Sequence, residues 1–313
     1  MSSKTVLVTG SNGTVGRGVV TELSRAGYRV VSVDRDGGSP PGADVHRRGD
    51  LLDQETVESV VGETSPEGII HLGTLPHPVG RSGHKTYRSN VMTTYHLLEV
   101  ADDHDVEDVC IASSINALGA VFQTSPMEVE YLPVDEDHPA TPRDPYALGK
   151  RTIELQAAGF GRREGSPASV ATLRFPWVGT RETMWELLVD ADRTLAGLGE
   201  DPHAARDDLF AYVARDDAAR ALRRGLEADF EGHETFFATA ADTTMETPTE
   251  RLVSARYPDA SSREFSGTES LVDSGKAREL LGWEPRTSWR ELDEADSPGA
   301  PTGHPAPRGE LKE

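Results

Sequence analysis

The stretch that most constrains this chain is Lys4 to Gly18, KTVLVTGSNGTVGRG. Its apolar run Val6, Leu7, Val8 stops at Thr9 and gives way to a turn with glycines at 10, 13 and 16, after which Val15, Val19 and Leu23 recur at helical spacing. A strand, a glycine-rich turn and a helix in that order make a phosphate-binding unit. Gly10 permits the tight turn, Gly13 lets backbone approach a pyrophosphate, and Gly16 lets the helix pack close to the strand. The helix start leaves N–H groups and a positive dipole end facing that anion, with Asn12, Thr14 and Val15 beside it. The expected ligand is a dinucleotide.

Length and charge narrow what surrounds that unit. A chain of 313 residues suits one large α/β unit with a smaller appendage. The expected division is 1–178 for a nucleotide-binding domain and 179–295 for a small substrate-binding region interleaved with its last elements. Residues 296–313, rich in Pro, Gly and Ala, are expected to be a disordered tail. With 53 acidic against 32 basic residues and a formal charge of −21, the composition argues against an extended nucleic acid surface. The lysines are only Lys4, Lys85, Lys150, Lys276 and Lys312. An acidic, lysine-poor surface suits a salt-rich, halophilic cytosol, where screening removes self-repulsion; GC-rich codon usage with ordinary acidity gives the same composition. The one cysteine, Cys110, has no internal disulfide partner, so a cytoplasmic, reducing location is expected. No run approaches ~20 apolar residues and the N-terminus leads straight into a strand, so neither a membrane span nor a signal peptide is expected.

Further along, Tyr28 to Asp34 (YRVVSVD) reads as a second strand that delivers Asp34 to an adenosine ribose. A carboxylate there accepts from both ribose hydroxyls and repels a 2′-phosphate, favouring NAD over NADP, while the adjacent Arg35 is able to clamp that phosphate instead. A third strand over Ala43 to Arg47 leads to Asp50 and Leu51, placed to meet adenine, and to a helix capped by Asp53. Gly68 to Leu72 (GIIHL) reads as a fourth strand, with Gly73, Thr74 and His77 in the loop at its carboxyl end, the edge where open α/β sheets bind ligands. A helix follows over Thr86 to Asp103, with Asn90 opening its apolar stripe. Val106 to Ser113 is a fifth strand ending in SSINALG at 113 to 119. Asp144 and Pro145 supply the cap and first turn of a helix on which Tyr146 and Lys150, four apart, share one face. An ammonium beside a phenol is expected to lower the phenol's pKa and make it usable as a base.

With these segments together, the chain resembles the extended short-chain dehydrogenase/reductases, the epimerase/dehydratase superfamily. The resemblance is carried by TGSNGTVG at 9 to 16, Asp34, GDLLD at 49 to 53, HLG at 71 to 73, NVMTTYHLLEVA at 90 to 101, SSINALG and YALGK at 146 to 150. LRFPWVG at 173 to 179, YVARDDAARAL at 212 to 222 and KARELLGWEP at 276 to 285 add to it. It implies a doubly wound parallel Rossmann sheet with a small C-terminal substrate-binding α/β portion, and a homo-oligomer, as a dimer. It implies Ser114, Tyr146 and Lys150 as the catalytic triad, with Lys150 also on the nicotinamide ribose. It implies NAD as cofactor, NADP remaining open, with Leu72, Gly73, Thr74, Asn90 and Phe175 joining its site, and no metal. The substrate side is expected to draw on Thr74, His77, Ser114, Ile115, Asn116, Trp177 and Arg181.

Two departures point to a substrate. Superfamily members that act on nucleotide sugars usually place an asparagine three residues after the arginine of the sixth strand and an arginine ahead of the V-x-D-x-A segment, both reaching the diphosphate. Here those places hold Trp177 and Asp208. With Glu182, Glu186, Asp190 and Asp192 making an acidic approach, the expectation is a sugar (uronate or aldose) dehydrogenase oxidising a free sugar at C1 to the lactone. The alternatives are an NDP-sugar epimerase or dehydratase that keeps its NAD bound, and a non-catalytic dinucleotide sensor. Retention of Ser114, Tyr146 and Lys150 speaks against the sensor, and NAD that resists dialysis would favour the epimerase.

Overall fold

The computed structural model describes residues 3–75, 80, 82–122, 127–198 and 208–298. In chain order the first half lays down β1 (Thr5–Thr9), α1 (Thr14–Arg25), β2 (Arg29–Asp34), β3 (Val45–Arg48), α2 (Gln54–Thr64), β4 (Gly68–His71), α3 (Gly83–Asp103) and β5 (Asp108–Ser114). A 3-10 turn, Ile115–Leu118, follows β5. The second half adds β6 (Tyr131–Leu132), α4 (Pro145–Phe160), β7 (Ser169–Phe175), β8 (Trp177–Gly179), α5 (Arg181–Met184), β9 (Tyr212–Ala214) and α6 (Arg215–Leu226). It ends with β10 (Gly232–Phe237), α7 (Thr249–Arg256), β11 (Ser261–Ser262) and α8 (Gly275–Leu281).

Seven of these strands form one parallel sheet in the order β10-β7-β5-β4-β1-β2-β3. The chain starts in the middle, winds to one edge through β2 and β3, then returns past β1 to the other. That is the doubly wound arrangement expected from the sequence. The two directions part between β1 and β4, and the carboxyl ends of those strands open a crevice for ligands.

Strand period two explains why both faces are covered. Val6 and Val8 point into a core made with Val19, Val20 and Leu23 of α1 and Ala218 and Leu222 of α6. Leu7, between them, points the other way, into a core with Leu97 and Leu98 of α3 and Ile153 and Ala157 of α4. Each such side chain taken fully out of water contributes about 1.5–3 kcal/mol. Strands buried on both faces read as continuous apolar runs, which is why β1 and β4 were visible in the sequence.

Local signals set the ends. Asp53 caps α2 through Glu55 N at 3.3 Å, and Asp144 caps α4 through Tyr146 N at 2.8 Å and Ala147 N at 3.0 Å. The third strand begins at Val45 rather than Ala43, because Ala43 N closes a turn on Pro40 O and the Asp44 carboxylate takes Val30 N. The helix expected from Thr86 starts at Gly83, capped by Ser82 on Lys85 N.

Beyond residue 179 the chain does two things. It returns α6 and β10 to the sheet, and it builds a smaller body over a core of Phe210, Phe237, Met245, Leu252 and Leu271 that also takes in Leu132 of the earlier β6, which pairs with β11, while β9 pairs back onto β8. The order also runs past the expected start of the tail. Asp296 ends a capped turn, Glu294–Asp296, and its carboxylate holds Arg181; residues 299–313 lie outside the described residues. Among the described residues, no helix is long and apolar enough to cross a membrane.

Candidate active site

A cleft of about 1000 Å³ opens at the carboxyl ends of β1, β2, β4, β5 and β7. Its floor is the glycine turn. Gly10 sits at φ +66°, and a Cβ there would stand 2.6 Å from Leu72 O; a Cβ on Gly16 would stand 2.2 Å from Gly10 O. Only glycine allows the turn to close this tightly on both neighbours. No side chain caps α1 at Gly13, so the first-turn N–H groups remain for a ligand. Asp34 lies across from them and takes Asn12 N on Oδ2 at 2.9 Å, while Arg35 O takes Arg48 Nε. An uncapped helix start, a glycine turn closed tightly on its own main chain at Gly10 and Gly16, and a carboxylate at the next strand end fit a dinucleotide.

The lining takes in every expected cofactor residue except Asn90, and Thr74, Ser114, Ile115, Asn116 and Trp177 of the expected substrate set. Asn90 is fully buried and spends both halves of its amide on Leu75, taking its N at 2.7 Å and giving to its O at 3.1 Å. It fastens the loop after β4 instead of facing a ligand. Arg181 is also off the cleft, its guanidinium paired with Asp296. His77 lies outside the described residues. Of the expected acidic approach, Glu182, Glu186, Asp190 and Asp192 do not line the cleft, whereas Asp208 does. Sequence reasoning missed Ser89 and Thr93, small polar residues one turn apart on α3, and Phe122, which packs edge-on against Tyr146 at 5.6 Å. The i, i+4 spacing of Ser89 and Thr93 was a readable signal; nothing local marks Phe122.

Ser114, Tyr146 and Lys150 meet in this cleft, each no more than 6% exposed. The Ser114 hydroxyl lies close enough to the Tyr146 phenol to act on its acidity. Lys150 Nζ donates to Ala112 O at 2.7 Å and Thr74 Oγ1 at 3.2 Å and stands 5.8 Å from the centroid of the Tyr146 ring. Burial pushes the Tyr146 phenol up to about 12; the Ser114 hydroxyl pulls against this, and the charge of Asp144 adds to it. The expected lowering by Lys150 is therefore corrected. The lysine is itself buried, pushed down to about 8 against the opposing charge of Glu154, and its hydrogens are held by Ala112 and Thr74.

One turn beyond Lys150, Glu154 braces the site from behind. It receives Arg174 Nε and Nη2 at 2.9 and 3.0 Å and Ser113 Oγ at 2.7 Å, tying α4 to the ends of β5 and β7. This bidentate pair holds the carboxyl group of Glu154 below its usual range despite burial. Among the described residues, no group of His, Cys, Asp or Glu is arranged to hold a metal ion.

Comparison with known proteins agrees with this geometry. The model of the NAD dependent epimerase/dehydratase family matches residues 6–233. UDP-glucose 4-epimerase of Bos taurus is 29% identical over 231 residues, and that of Bacillus subtilis (strain 168) 30% over 225, each alignment covering 67% of this chain. The match spans 60% of the length of each of these relatives. Among solved structures, MoeE5 in complex with UDP-glucose and NAD is 25% identical with a TM-score of 0.66, over 92% of this chain and 95% of that one. These relatives overturn the expectation of free-sugar oxidation. That expectation subtracted two phosphate ligands, at Trp177 and Asp208, from a site whose remaining donors were unread, and the acidic residues that supported it do not line the cleft.

Proposed function

Because the chain belongs to the NAD dependent epimerase/dehydratase family, we propose that it interconverts the 4-epimers of a UDP-sugar, UDP-glucose and UDP-galactose, with NAD kept in the cleft throughout. NAD is the cofactor of the family, and the cleft fits it. The first-turn N–H groups of α1 would hold the pyrophosphate, Asp34 the adenosine ribose, and Asp50 and Leu51 the adenine edge. Thr74 and Lys150 would hold the nicotinamide ribose. Bound NAD supplies reversible acceptance of hydride from the sugar carbon.

The chain's own residues handle the proton. Tyr146 Oη takes it from the sugar 4-hydroxyl and returns it to the same oxygen once the other face of the carbon has been reduced, so no net oxidation results. Ser114 donates a hydrogen bond to that oxygen, and Lys150, four residues on, presents its charge to the same side of the cleft. Trp177 and Asp208 line the same cleft. Asp208 disfavours a phosphate directly against it, so the diphosphate is expected to lean on the backbone and polar groups opposite.

The observation that carries this reading is the meeting of Ser114, Tyr146 and Lys150 in one cleft with an uncapped glycine turn. The test is incubation of the purified protein with UDP-glucose, scoring UDP-galactose by chromatography while following near-ultraviolet absorbance. Epimer formed without net accumulation of reduced dinucleotide is expected. Folded, NAD-supplied protein that makes no epimer in either direction overturns the proposal.

A further inference from the structure

The loop that leaves β4 carries Thr74, whose Oγ1 takes Lys150 Nζ at 3.2 Å. It is fastened on both sides of Thr74. Before it, Thr9 Oγ1 accepts Leu72 N at 3.1 Å, shared with Thr9 O, and Gly73 N at 3.0 Å. After it, the Asn90 carboxamide takes Leu75 N and gives to Leu75 O. His71, fully buried, stands between the two fasteners, with Nδ1 2.7 Å from Thr9 Oγ1 and Nε2 3.1 Å from Thr94 Oγ1. The protons along this row can be counted, because a hydroxyl has one proton and two acceptor positions. Thr9 gives its acceptor positions to backbone, so its proton goes to Nδ1. Thr94 gives its proton to Asn90 O at 2.9 Å, so it accepts from Nε2. Both ends demand the same neutral tautomer, the one protonated on Nε2. A second ring proton would face the Thr9 proton, and burial beside the Lys150 charge opposes it as well, holding the His71 pKa down to about 3.

We propose that His71 is a positioning residue for Lys150: as the Nε2-protonated ring it locks the Thr9 hydroxyl onto Leu72 and Gly73 and the Thr94 hydroxyl onto Asn90 O, so that Thr74 is held at a fixed reach from Lys150 Nζ. Lys150 then has two fixed acceptors, Thr74 Oγ1 and Ala112 O, and its third hydrogen is left for the nicotinamide ribose. The inference rests on the placement of NAD in this cleft and not on the choice of sugar. It gives the loop after β4 a purpose that its sequence does not display.

The ring nitrogens report the tautomer directly. In isotope-labelled wild-type protein, with His71 assigned by its loss in His71→Asn, nuclear magnetic resonance is expected to show an unprotonated Nδ1 and a protonated Nε2 throughout about pH 5 to 9, the range in which an ordinary histidine titrates. A ring protonated on Nδ1, alone or with Nε2, overturns the proposal. NAD affinity, measured by calorimetry, tests the positioning without turnover. His71→Leu is expected to weaken NAD binding about 10- to 100-fold, the scale of one charged hydrogen bond. His71→Asn still offers Thr9 an acceptor near the place of Nδ1 and should recover most of that affinity. A ring that only fills space would rank the two the other way, since Leu is the better apolar filler. In a Thr74→Val background, which lacks the acceptor for Lys150, His71→Leu should cost no further NAD affinity. Equal losses in the two backgrounds, or tighter NAD binding by the Leu variant than by the Asn variant, overturn the positioning role. Should His71→Leu fail to fold, Thr94→Val, which keeps the shape and removes the acceptor for Nε2, is carried through the same cycle with the same criterion. Folded wild-type protein that binds no NAD overturns the cofactor reading and this proposal with it. The expected NAD affinities without any epimer made from UDP-glucose overturn only the choice of sugar reaction and support this proposal.

Discussion

The cleft wall and the region beyond residue 179, which gives the cleft lining only Asp208 among the described residues, are built differently. The wall from β1 to β5 is made of consecutive strand ends and backbone, with Gly10 and Gly16 in direct contact with neighbouring main chain. The region beyond residue 179 is held by side chains reaching far along the chain. Tyr212 Oη donates to Asp242 at 2.6 Å and accepts from Trp289 N at 3.0 Å, and Arg193 donates to Thr244 O at 2.9 Å. A backbone-built wall presents the same donors whatever the surface composition, so it serves a constant ligand. A region of long-range side-chain ties can be re-cut by a few substitutions, and it is the expected seat of substrate choice.

The largest effect expected is that of Tyr146→Phe, in the cleft wall. Turnover of UDP-glucose should fall ~10²–10⁴-fold, while NAD affinity stays near that of the wild type, since the lost hydroxyl belongs to proton transfer. Single-turnover kinetics beside an NAD titration separates the two. Wild-type turnover in the variant would take Tyr146 out of the chemistry.

Next in size is a stability effect of Lys150, whose charge the backbone wall buries. Its pKa in the folded protein is about 8 against an ordinary 10.5. Below pH 8 both folded and unfolded chains hold the proton, and the folded one carries the full cost of burying it. Between pH 8 and 10.5 only the unfolded chain still holds it, so stability rises with pH across that window, by about 3 kcal/mol. Lys150→Met should lack this rise, and should therefore compare most favourably with the wild type near pH 7. Urea unfolding of both proteins at pH 7 and 10 checks it; parallel pH dependences would mean that the lysine does not titrate in that window.

The contrast itself is open to a third substitution. Tyr212→Phe leaves Asp242 and the Trp289 N–H without their shared partner, a loss of roughly 1–3 kcal/mol of stability. UDP-glucose affinity should weaken and NAD affinity should not. Equal weakening of both ligands by calorimetry would show that the two regions are mechanically one.

The same contrast explains what could be read in the sequence. The glycine turn, the Asp53 and Asp144 caps and the Tyr146/Lys150 pair are signals within a few residues of one another, and the structure places them as expected. Asn90 was misplaced because its helix position is clear in the sequence but the loop it fastens, at Leu75, is not. Arg181 was misplaced because its partner, Asp296, lies 115 residues away. The phenol of Tyr146 was misjudged because spacing gives the proximity of a lysine but not the burial of both groups, and burial dominates each. The substrate was misread for the same reason: which donors face a diphosphate depends on long-range packing, and two departures at Trp177 and Asp208 did not stand for the whole site.

The smallest effect concerns the backbone wall alone and discriminates between two jobs of one carboxylate. Asp34 takes Asn12 N on Oδ2 and so helps shape the glycine turn, while also facing the cleft. Asp34→Asn keeps an acceptor for Asn12 and removes only the charge. If the charge reads the ribose, NAD binding should weaken about tenfold, the difference between charged and neutral hydrogen bonds, and NADP should bind better than before because a 2′-phosphate no longer meets a carboxylate and finds Arg35 beside it. If shaping the turn is its whole role, neither affinity changes with Asn, and both fall together with Asp34→Ala. Fluorescence titration of the two proteins with each dinucleotide separates these outcomes, because only the ribose-reading role moves the NAD to NADP ratio while the turn stays intact.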